Sequence, residues 1–291
     1  MKFFRIVNLW WPFGAHILHV KWSMIRAMYN NANFIYDTNV NVVFPNGDVS
    51  YYFEKWSDIP CNDDEIITIE PFDARERSHV PRILTEYVAP GYNTIEDMHS
   101  DILRRRVYVP SPMVREHLAS HAFLKTIHNL DGKYICMHVR WSDKIQGPDK
   151  ETDFIPLTVY LDACDEVRMN TGIQTVVVCS DTYEAVSEIK KVNDDPKYGF
   201  NVLYDENEIR SKNTSHDSVV QRGNNGRMTF DQLRSEYLAC FVNMELLINS
   251  ASVVGNYDSG FCLVAVQMRN KPDSDKNVNM NKPLFGIHHK F

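Results

Sequence analysis

The residues best suited to chemistry lie directly after one apolar segment. Tyr134–Val139 is apolar apart from His138, as expected for a buried strand of a parallel sheet. Polar side chains then crowd the carboxyl end of this segment: His138, Arg140, Ser142, Asp143 and Lys144. Ligands of open α/β sheets bind beyond the carboxyl ends of the strands, and the planar guanidinium of Arg140 is suited to gripping a diphosphate. The plain alternative is a strand end that carries solvated charges.

Further candidates lie at turns that follow other predicted strands. Gly14 and Ala15 stand where a strand and turn lead into a helix, and backbone N–H groups at a helix start favour an anion. Candidate residues also follow three later predicted strands. They are Asp73, Asp181, and Ser259 with Gly260. A loop cap is the alternative role for Asp73, and a helix cap is the alternative for Ser259. If the strands form parallel sheets, these residues face a common crevice.

The elements that must position these residues alternate between strand and helix. The predicted strands are Phe4–Leu9, Phe34–Asp37, Val40–Phe44, Ile66–Glu70, Thr175–Cys179, Val202–Tyr204 and Ala251–Gly255. The predicted helices are Ala15–Tyr29, Met113–Ile127, Pro156–Met169, Tyr183–Lys191 and Phe230–Ile248, chosen from apolar spacing. The pattern occurs once before and once after about residue 130, which predicts an α/β fold of two domains facing each other across a cleft. We place the domains at 1–130 and 131–275, with a tail at 276–291.

Composition restricts the class of protein. The net charge of −7 argues against a nucleic-acid surface. The sequence contains no run of about eighteen apolar residues, the length that a membrane span requires. The amino end is too short and too interrupted to be a signal peptide. The cysteines form no C-x-x-C pair, so we expect reduced thiols in a cytoplasmic compartment and no zinc site: Cys61, Cys136, Cys164, Cys179, Cys240 and Cys262.

Three stretches resemble one enzyme family in the same order along the chain. His138-Val139-Arg140 followed by Asp143-Lys144 is similar to the H-V-R-x-x-D-K motif of the α1,6-fucosyltransferases and protein O-fucosyltransferases. Phe13–Val20 resembles the early glycine turn and helix of this family. Val254–Cys262 resembles the late strand, serine turn and helix.

The resemblance implies a GT-B architecture and an inverting, metal-independent transfer of sugar from a nucleotide-sugar donor to a glycan acceptor. Carried over position by position, it implies that Arg140 and Ser259 grip the donor diphosphate. Gly14 then approaches the diphosphate through its backbone, and His138 contacts the nucleoside. Neighbouring residues complete the expected donor-binding set: Ala15, Asp143, Lys144, Asp181, Asn243 and Gly260.

The general base and the donor base each have two candidates. The family glutamate lies three residues before an aromatic residue, here Glu151 before Phe154, and Asp73 is the competing base from the N-terminal half. Asn243 stands where the family has an aspartate on the helix before the last strand. Because a carboxylate suits guanine N–H groups, this difference leaves UDP-xylose beside GDP-fucose as a donor.

Other readings place the chain differently. Without an anchor it resembles the cytosolic glycosyltransferases that large algal viruses encode for capsid glycans. A non-catalytic nucleotide- or glycan-binding module is one alternative function. A serine hydrolase built on Ser259 is another, although Tyr257 stands where a nucleophile elbow has glycine.

Overall fold

The computed structural model describes residues 3–6, 13–36, 51–54, 66–69, 82–141, 154–208, 230–271 and 273–278. These residues form an α/β protein with two parallel sheets, which confirms the predicted fold class. In chain order the strands are β1 Phe3–Ile6, β2 Asn33–Tyr36, β3 Ile66–Ile69, β4 Ile135–Val139, β5 Thr175–Ser180, β6 Asn201–Leu203, β7 Ser252–Gly255 and β8 Lys276–Asn277. The sheet orders are β2-β1-β3 and β6-β5-β4-β7-β8.

Helices cover both faces of the larger sheet. They are α1 Phe13–Tyr29, α2 Arg82–Thr85, α3 Ile95–Ile102, α4 Pro112–Ser120, α5 Ala122–His128, α6 Leu157–Thr171, α7 Tyr183–Asn193, α8 Phe230–Asn249 and α9 Gly260–Arg269. A π-helical turn, Leu103–Val107, extends α3. Side-chain caps start several of them: the Thr182 hydroxyl accepts from the Ala185 backbone N–H and so fixes the start of α7.

Strand β4 lies in the middle of the larger sheet. Ile135 pairs with Val176 of β5 on one side and with Ser252 of β7 on the other, both in parallel. All five β4 residues are buried, as the apolar sequence predicts for a strand covered on both faces. The prediction placed this strand correctly to within one residue. Its carboxyl end leads directly to Arg140.

Helix α1 packs along α9, the helix that follows β7, and its first residue also reaches α8, the helix that precedes β7. The Phe13 ring packs against Phe241 of α8 at 4.9 Å and against Phe261 of α9 at 5.7 Å. About two turns later, Lys21 Nζ donates a 2.8 Å hydrogen bond to Gln267 Oε1 of α9. Because the early residues of α1 meet the early residues of α9 and the later meet the later, the two helices run in the same direction.

The hydrophobic core does not divide at residue 130. One cluster of buried side chains joins Ile17 of α1, Leu124 of α5, Phe241 of α8 and Val264 of α9. The helical segment before β4 is therefore packed onto the C-terminal sheet layer. The predicted tail also starts differently, since Lys276–Asn277 pairs in parallel with β7 as the edge strand of that sheet.

Two local predictions differ from the structure. Met113–Ile127, predicted as one helix, is divided into α4 and α5 because His121 adopts an extended backbone, with φ −65° and ψ 120°. The predicted strand Val40–Phe44 lies outside the described residues. The five cysteines within the described residues are free thiols, as expected, and Cys61 lies outside them.

Candidate active site

The candidate site lies at the carboxyl edge of the larger sheet. His138 and Arg140 come from the end of β4, Asp181 follows β5, and Ser259 precedes α9 after β7. Because β4, β5 and β7 are parallel neighbours, their carboxyl ends meet at one edge. The topology therefore brings together four residues that the sequence analysis had selected separately.

The guanidinium of Arg140 is held by a carboxylate. Arg140 Nη1 donates a 2.6 Å hydrogen bond to Asp181 Oδ2, and the Trp141 backbone N–H donates to Asp181 Oδ1 at 3.0 Å. The Arg140 side chain is 26% exposed and that of Asp181 is 18% exposed, so the pair is partly shielded from water. Asp181 was predicted to bind the donor, which stays a prediction, and in the structure it contacts the Arg140 guanidinium.

His138 is buried beside this ion pair. Its ring stacks on Phe261 at 5.4 Å with 22° between the planes. Burial lowers the pKa of His138 to about 4, with an opposing effect from Asp181 and a smaller reinforcing one from Arg140. The imidazole is therefore neutral at pH 7. Within the described residues its Nδ1 atom has no hydrogen-bond partner, which suits a nitrogen that meets a ligand.

Two glycines allow the close packing around His138. A β-carbon at Gly14 would lie 2.5 Å from the Phe261 backbone nitrogen, and one at Gly255 would lie 2.5 Å from Cys262 Sγ. Real β-carbons do not approach other atoms so closely, so only glycine fits at either position without a shift. The glycine at position 14 brings the first turn of α1 directly against the first turn of α9.

The start of α9 carries the predicted serine. Ser259 is the N-cap residue of α9, but its side chain makes no capping hydrogen bond. The Ser259 hydroxyl therefore does not cap the helix. Gly260 is the first residue of the helix, so its N–H belongs to the group that has no partner within the helix. Ala15 lies in the first turn of α1.

Asn243 lies on α8 and contacts a carboxylate that the sequence analysis did not select. Asn243 Nδ2 donates a 2.6 Å hydrogen bond to Glu208 Oε1, which fixes the orientation of the amide. Glu208 stands in a polar stretch without a motif or a periodic pattern, so its sequence gave no signal of this role. A second carboxylate on α8, Glu245, accepts at Oε1 from the Tyr108 hydroxyl at 3.5 Å. Burial raises the pKa of Glu245.

A small cavity of about 220 Å³, with both polar and apolar lining, adjoins Glu208. His117 and His121 line it from the helical segment, and Asp205 and Glu208 line it from the segment after β6. Leu238 and two neighbouring residues of α8 form its apolar side. The sequence analysis selected none of these residues, because each stands in a segment without a motif.

Four predicted site residues lie outside the described residues: Asp73, Asp143, Lys144 and Glu151. Both candidates for the general base are in this group, so the choice between them stays a prediction. Within the described residues no three His, Cys, Asp or Glu side chains form a group that could hold a metal ion. The same residues contain no helix of the length and apolarity needed to cross a membrane.

The two parallel sheets, with Arg140 at the carboxyl edge of the larger one, allow the fold to be compared with solved structures. The chain has the GT-B fold of the fucosyltransferases, as the comparison with solved structures shows. NodZ α-1,6-fucosyltransferase soaked with GDP-fucose superposes with a TM-score of 0.50 at 14% sequence identity, covering 92% of this chain and 93% of that one. The same enzyme co-crystallised with GDP gives a TM-score of 0.51 at 15% identity, covering 91% of this chain and 92% of that one.

More distant similarity extends to a plant enzyme. FUT1 of Arabidopsis thaliana gives a TM-score of 0.49 at 11% identity, covering 92% of this chain and 68% of that one. No protein-family model and no curated protein sequence matches the chain. The similarity to NodZ therefore shows the fold, and the site residues must support any statement about function.

Proposed function

We propose that this protein is an inverting, metal-independent glycosyltransferase. It moves a sugar, either fucose from GDP-fucose or xylose from UDP-xylose, onto a hydroxyl of a glycan. The observation that carries the proposal is that Arg140 and the first turns of α1 and α9 lie at one sheet edge, where His138 of β4 stacks on Phe261 of α9 and Gly14 of α1 meets the same residue. The fold shared with NodZ supports the same class of reaction.

The convergence suits a leaving nucleoside diphosphate. As the bond between the sugar and the diphosphate breaks, negative charge grows on the phosphate oxygens. Arg140 supplies a permanent positive charge, and the N–H groups at the starts of α1 and α9 supply aligned partial positive charge. Together these groups provide the stabilisation that a metal ion provides in other transferases, so the proposed reaction needs none. Asp181 keeps the guanidinium in place before the donor arrives.

The nucleoside end of the donor would lie against His138 and Asn243. The Glu208 carboxylate holds the Asn243 NH₂ group, so the Asn243 carbonyl oxygen is the atom that accepts from a base N–H. A single acceptor suits N3–H of uracil and N1–H of guanine alike, and the donor base therefore stays open between UDP and GDP. His138, neutral at pH 7, can donate or accept one hydrogen bond to the ribose or base.

Transfer with inversion is a single displacement. A carboxylate takes the proton from the acceptor hydroxyl, the oxygen attacks the anomeric carbon, and the diphosphate leaves on the opposite side. Asp73 and Glu151 remain the two proposed bases. Within the described residues no contact links Ser259 with a histidine base, and the Nδ1 atom of the neighbouring His138 has no hydrogen-bond partner, which disfavours the serine hydrolase.

The first experiment measures nucleotide binding by isothermal titration with GDP and with UDP. Arg140→Ala should weaken the preferred nucleotide roughly 10- to 150-fold, as expected for a charge-assisted contact of about 1.5–3 kcal/mol. Arg115→Ala is the matched control, because Arg115 pairs with Glu54 at 2.5 Å on the exposed surface. Equal affinity of the wild type and the Arg140 variant would remove the basis of the proposal.

A second experiment tests catalysis with a panel of nucleotide sugars in the presence of EDTA. Release of GDP or UDP that needs a glycan acceptor identifies a transferase, whereas tight binding without release identifies the non-catalytic module. Asp73→Ala and Glu151→Ala then separate the two bases, since loss of the true base lowers turnover while donor affinity is retained. Viral origin and cytoplasmic location stay predictions.

A further inference from the structure

We propose that the small cavity between α4, α8 and the segment after β6 binds one neutral sugar unit of the glycan acceptor. The identification of that glycan as an acceptor depends on the proposed function, whereas the binding of a sugar unit does not. The cavity measures about 220 Å³, which is smaller than the roughly 300–1,000 Å³ of most ligand pockets. It therefore takes a single ring rather than a complete nucleotide sugar.

The lining has the chemistry of a sugar site. The carboxylates of Asp205 and Glu208 accept hydrogen bonds from hydroxyl groups, and the Ser235 hydroxyl can donate or accept. Leu238 and Val242 provide an apolar surface on one side for the C–H face of a pyranose. A ring with hydroxyls at its edge and an apolar face matches both parts of this lining.

The ionic groups of the cavity select a neutral ligand. The Asp205 Oδ2 atom lies 3.5 Å from His121 Nε2. Asp205 is only 5% exposed. Burial, with added effects from His121 and Arg234, lowers the pKa of His117, so that imidazole is neutral at pH 7. The two lining carboxylates disfavour a phosphate, so a neutral ligand suits this cavity better than the donor diphosphate.

The ring geometry argues against a nucleobase. The His117 and His121 rings are inclined at 62° with their centroids 5.4 Å apart, so the two rings do not form a parallel pair between which a flat base could stack. The break between α4 and α5 at His121 produces this inclination, because the extended backbone of His121 turns its ring toward Asp205. The cavity consequently offers no parallel slot.

A short chain of contacts connects the cavity with the proposed donor site. Asp181 holds Arg140, and Tyr183 two residues later donates from its hydroxyl to the Glu208 backbone carbonyl at 3.0 Å. The Glu208 carboxylate in turn accepts from Asn243 and lines the cavity. A sugar in the cavity would thus lie near the nucleoside end of the donor, and the remaining acceptor units would extend along the donor toward the transferred sugar.

The test is saturation-transfer NMR on the full chain with methyl glycosides of glucose, galactose, mannose, xylose, fucose and N-acetylglucosamine. We expect at least one to bind in the millimolar range typical of a single ring, with or without GDP or UDP. Ala239→Phe should abolish this binding by filling the cavity, since Ala239 is one of its lining residues. Ala119→Phe, at an exposed position of α4 outside the lining, should leave it unchanged.

Two isosteric variants guard against misfolding of the Ala239 variant. Asp205→Asn and Glu208→Gln remove one negative charge each, and each should weaken sugar binding about tenfold, as expected for one hydrogen bond to a charged group. Thermal melting identifies any variant that has not folded, and the isosteric pair then decides. A loss of binding in these variants supports the cavity as the sugar site.

Three results would overturn the inference. They are the absence of binding by the whole panel, sugar binding that is unchanged in folded Ala239→Phe, and displacement of the sugar by guanosine or uridine. The last result would assign the cavity to the donor base. Failure of the nucleotide titration while sugar binding persists would contradict the transferase but not the cavity, so the two proposals fail separately.

Discussion

The two faces of strand β4 differ in what they bury. On one face Ile135, Met137 and Val139 pack against α6 and α7 in a cluster of apolar side chains. On the other face Cys136 and His138 lie against the layer of α8 and α9. The same five-residue strand therefore contributes to stability through its odd-numbered residues and to the candidate site through His138.

The face of β4 that carries His138 is packed differently from the face that carries Met137. It contains a neutral buried histidine, two glycines in tight contact, and a helix, α1, contributed by the first part of the chain. Each feature restricts substitution more than simple apolar packing does. The comparison teaches that the site side of the sheet is built from close backbone approach, whereas the opposite side is built from side-chain volume.

The largest expected effect is on the apolar face. Met137→Ala should lower the free energy of unfolding by about 2–5 kcal/mol, because Met137 is completely buried and the change leaves a cavity. Met169→Ala is the matched control, since Met169 on α6 is 79% exposed and should change stability by less than about 0.5 kcal/mol. Urea denaturation measures both. Similar losses in the two variants would contradict the assignment of Met137 to the core.

The histidine face should make stability depend on pH. The folded pKa of His138 is about 4, below its ordinary value of 6.5, so only the unfolded chain takes up the proton between these values. Stability is therefore full above pH 6.5 and declines as the pH falls toward 4. One pKa unit corresponds to roughly 1.4 kcal/mol, so the difference between 6.5 and about 4 limits the contribution of His138 to about 3.5 kcal/mol.

The measurement is urea denaturation at several pH values between 7 and 4. His138→Phe should reduce the slope of unfolding free energy against pH, because phenylalanine can keep the stacking on Phe261 without a titrating group. Some slope will remain, since burial also lowers the pKa of His16, to about 3. Identical slopes in the wild type and the variant would exclude His138 as a buried neutral group.

Close backbone approach at Gly14 gives the third prediction. Gly14→Ala places a β-carbon 2.5 Å from the Phe261 backbone nitrogen, and the backbone cannot yield as a flexible side chain would. We expect a loss of about 1–3 kcal/mol in stability and weaker nucleotide binding from the separated helix starts. Gly172→Ala is a control of a different kind, because its φ of +76° adds strain without any contact at the site. It should lower stability but leave nucleotide affinity unchanged.

The sequence predicted the parts of this structure that depend on local patterns. The apolar run of β4, the strand endings before Asp181 and Ser259, and the glycine at position 14 all carry local signals, and the structure brings their residues to one edge. Contacts between distant segments gave no such signal. The packing of α1 on α9 and the pairing of Asn243 with Glu208 join residues far apart in the chain, and Glu208 stands in a polar stretch without periodicity.

His121 shows the same limit within a single segment. The helical spacing of Met113–Ile127 predicts one continuous helix. In the structure the helix is broken at His121, which contacts Asp205, 84 residues later in the chain. The carboxylate partner of Arg140 is a related case. Asp181 was selected from its place after a strand, but its orienting role depends on the register between β4 and β5, in which Val139 lies beside Ser180.

The smallest expected effect concerns that carboxylate. Asp181→Asn keeps the shape and can still accept from the Trp141 N–H, but it removes the charge that faces Arg140. Freed from this partner, the guanidinium loses its fixed orientation, and we expect nucleotide affinity to fall about tenfold, an effect of about 1.4 kcal/mol. Glu54→Gln removes the equivalent charge from the exposed pair with Arg115 and should leave affinity unchanged.

The opposite result is equally informative, because removal of Asp181 also removes a negative charge near the proposed diphosphate. If orientation matters less than repulsion, Asp181→Asn should bind nucleotide more tightly than the wild type, and the affinity of the variant should depend less on ionic strength. Titration at low and high salt separates these cases. Tighter binding would mean that Asp181 competes with the donor for Arg140, and the carboxylate would then be a group that the donor must displace rather than one that prepares the site.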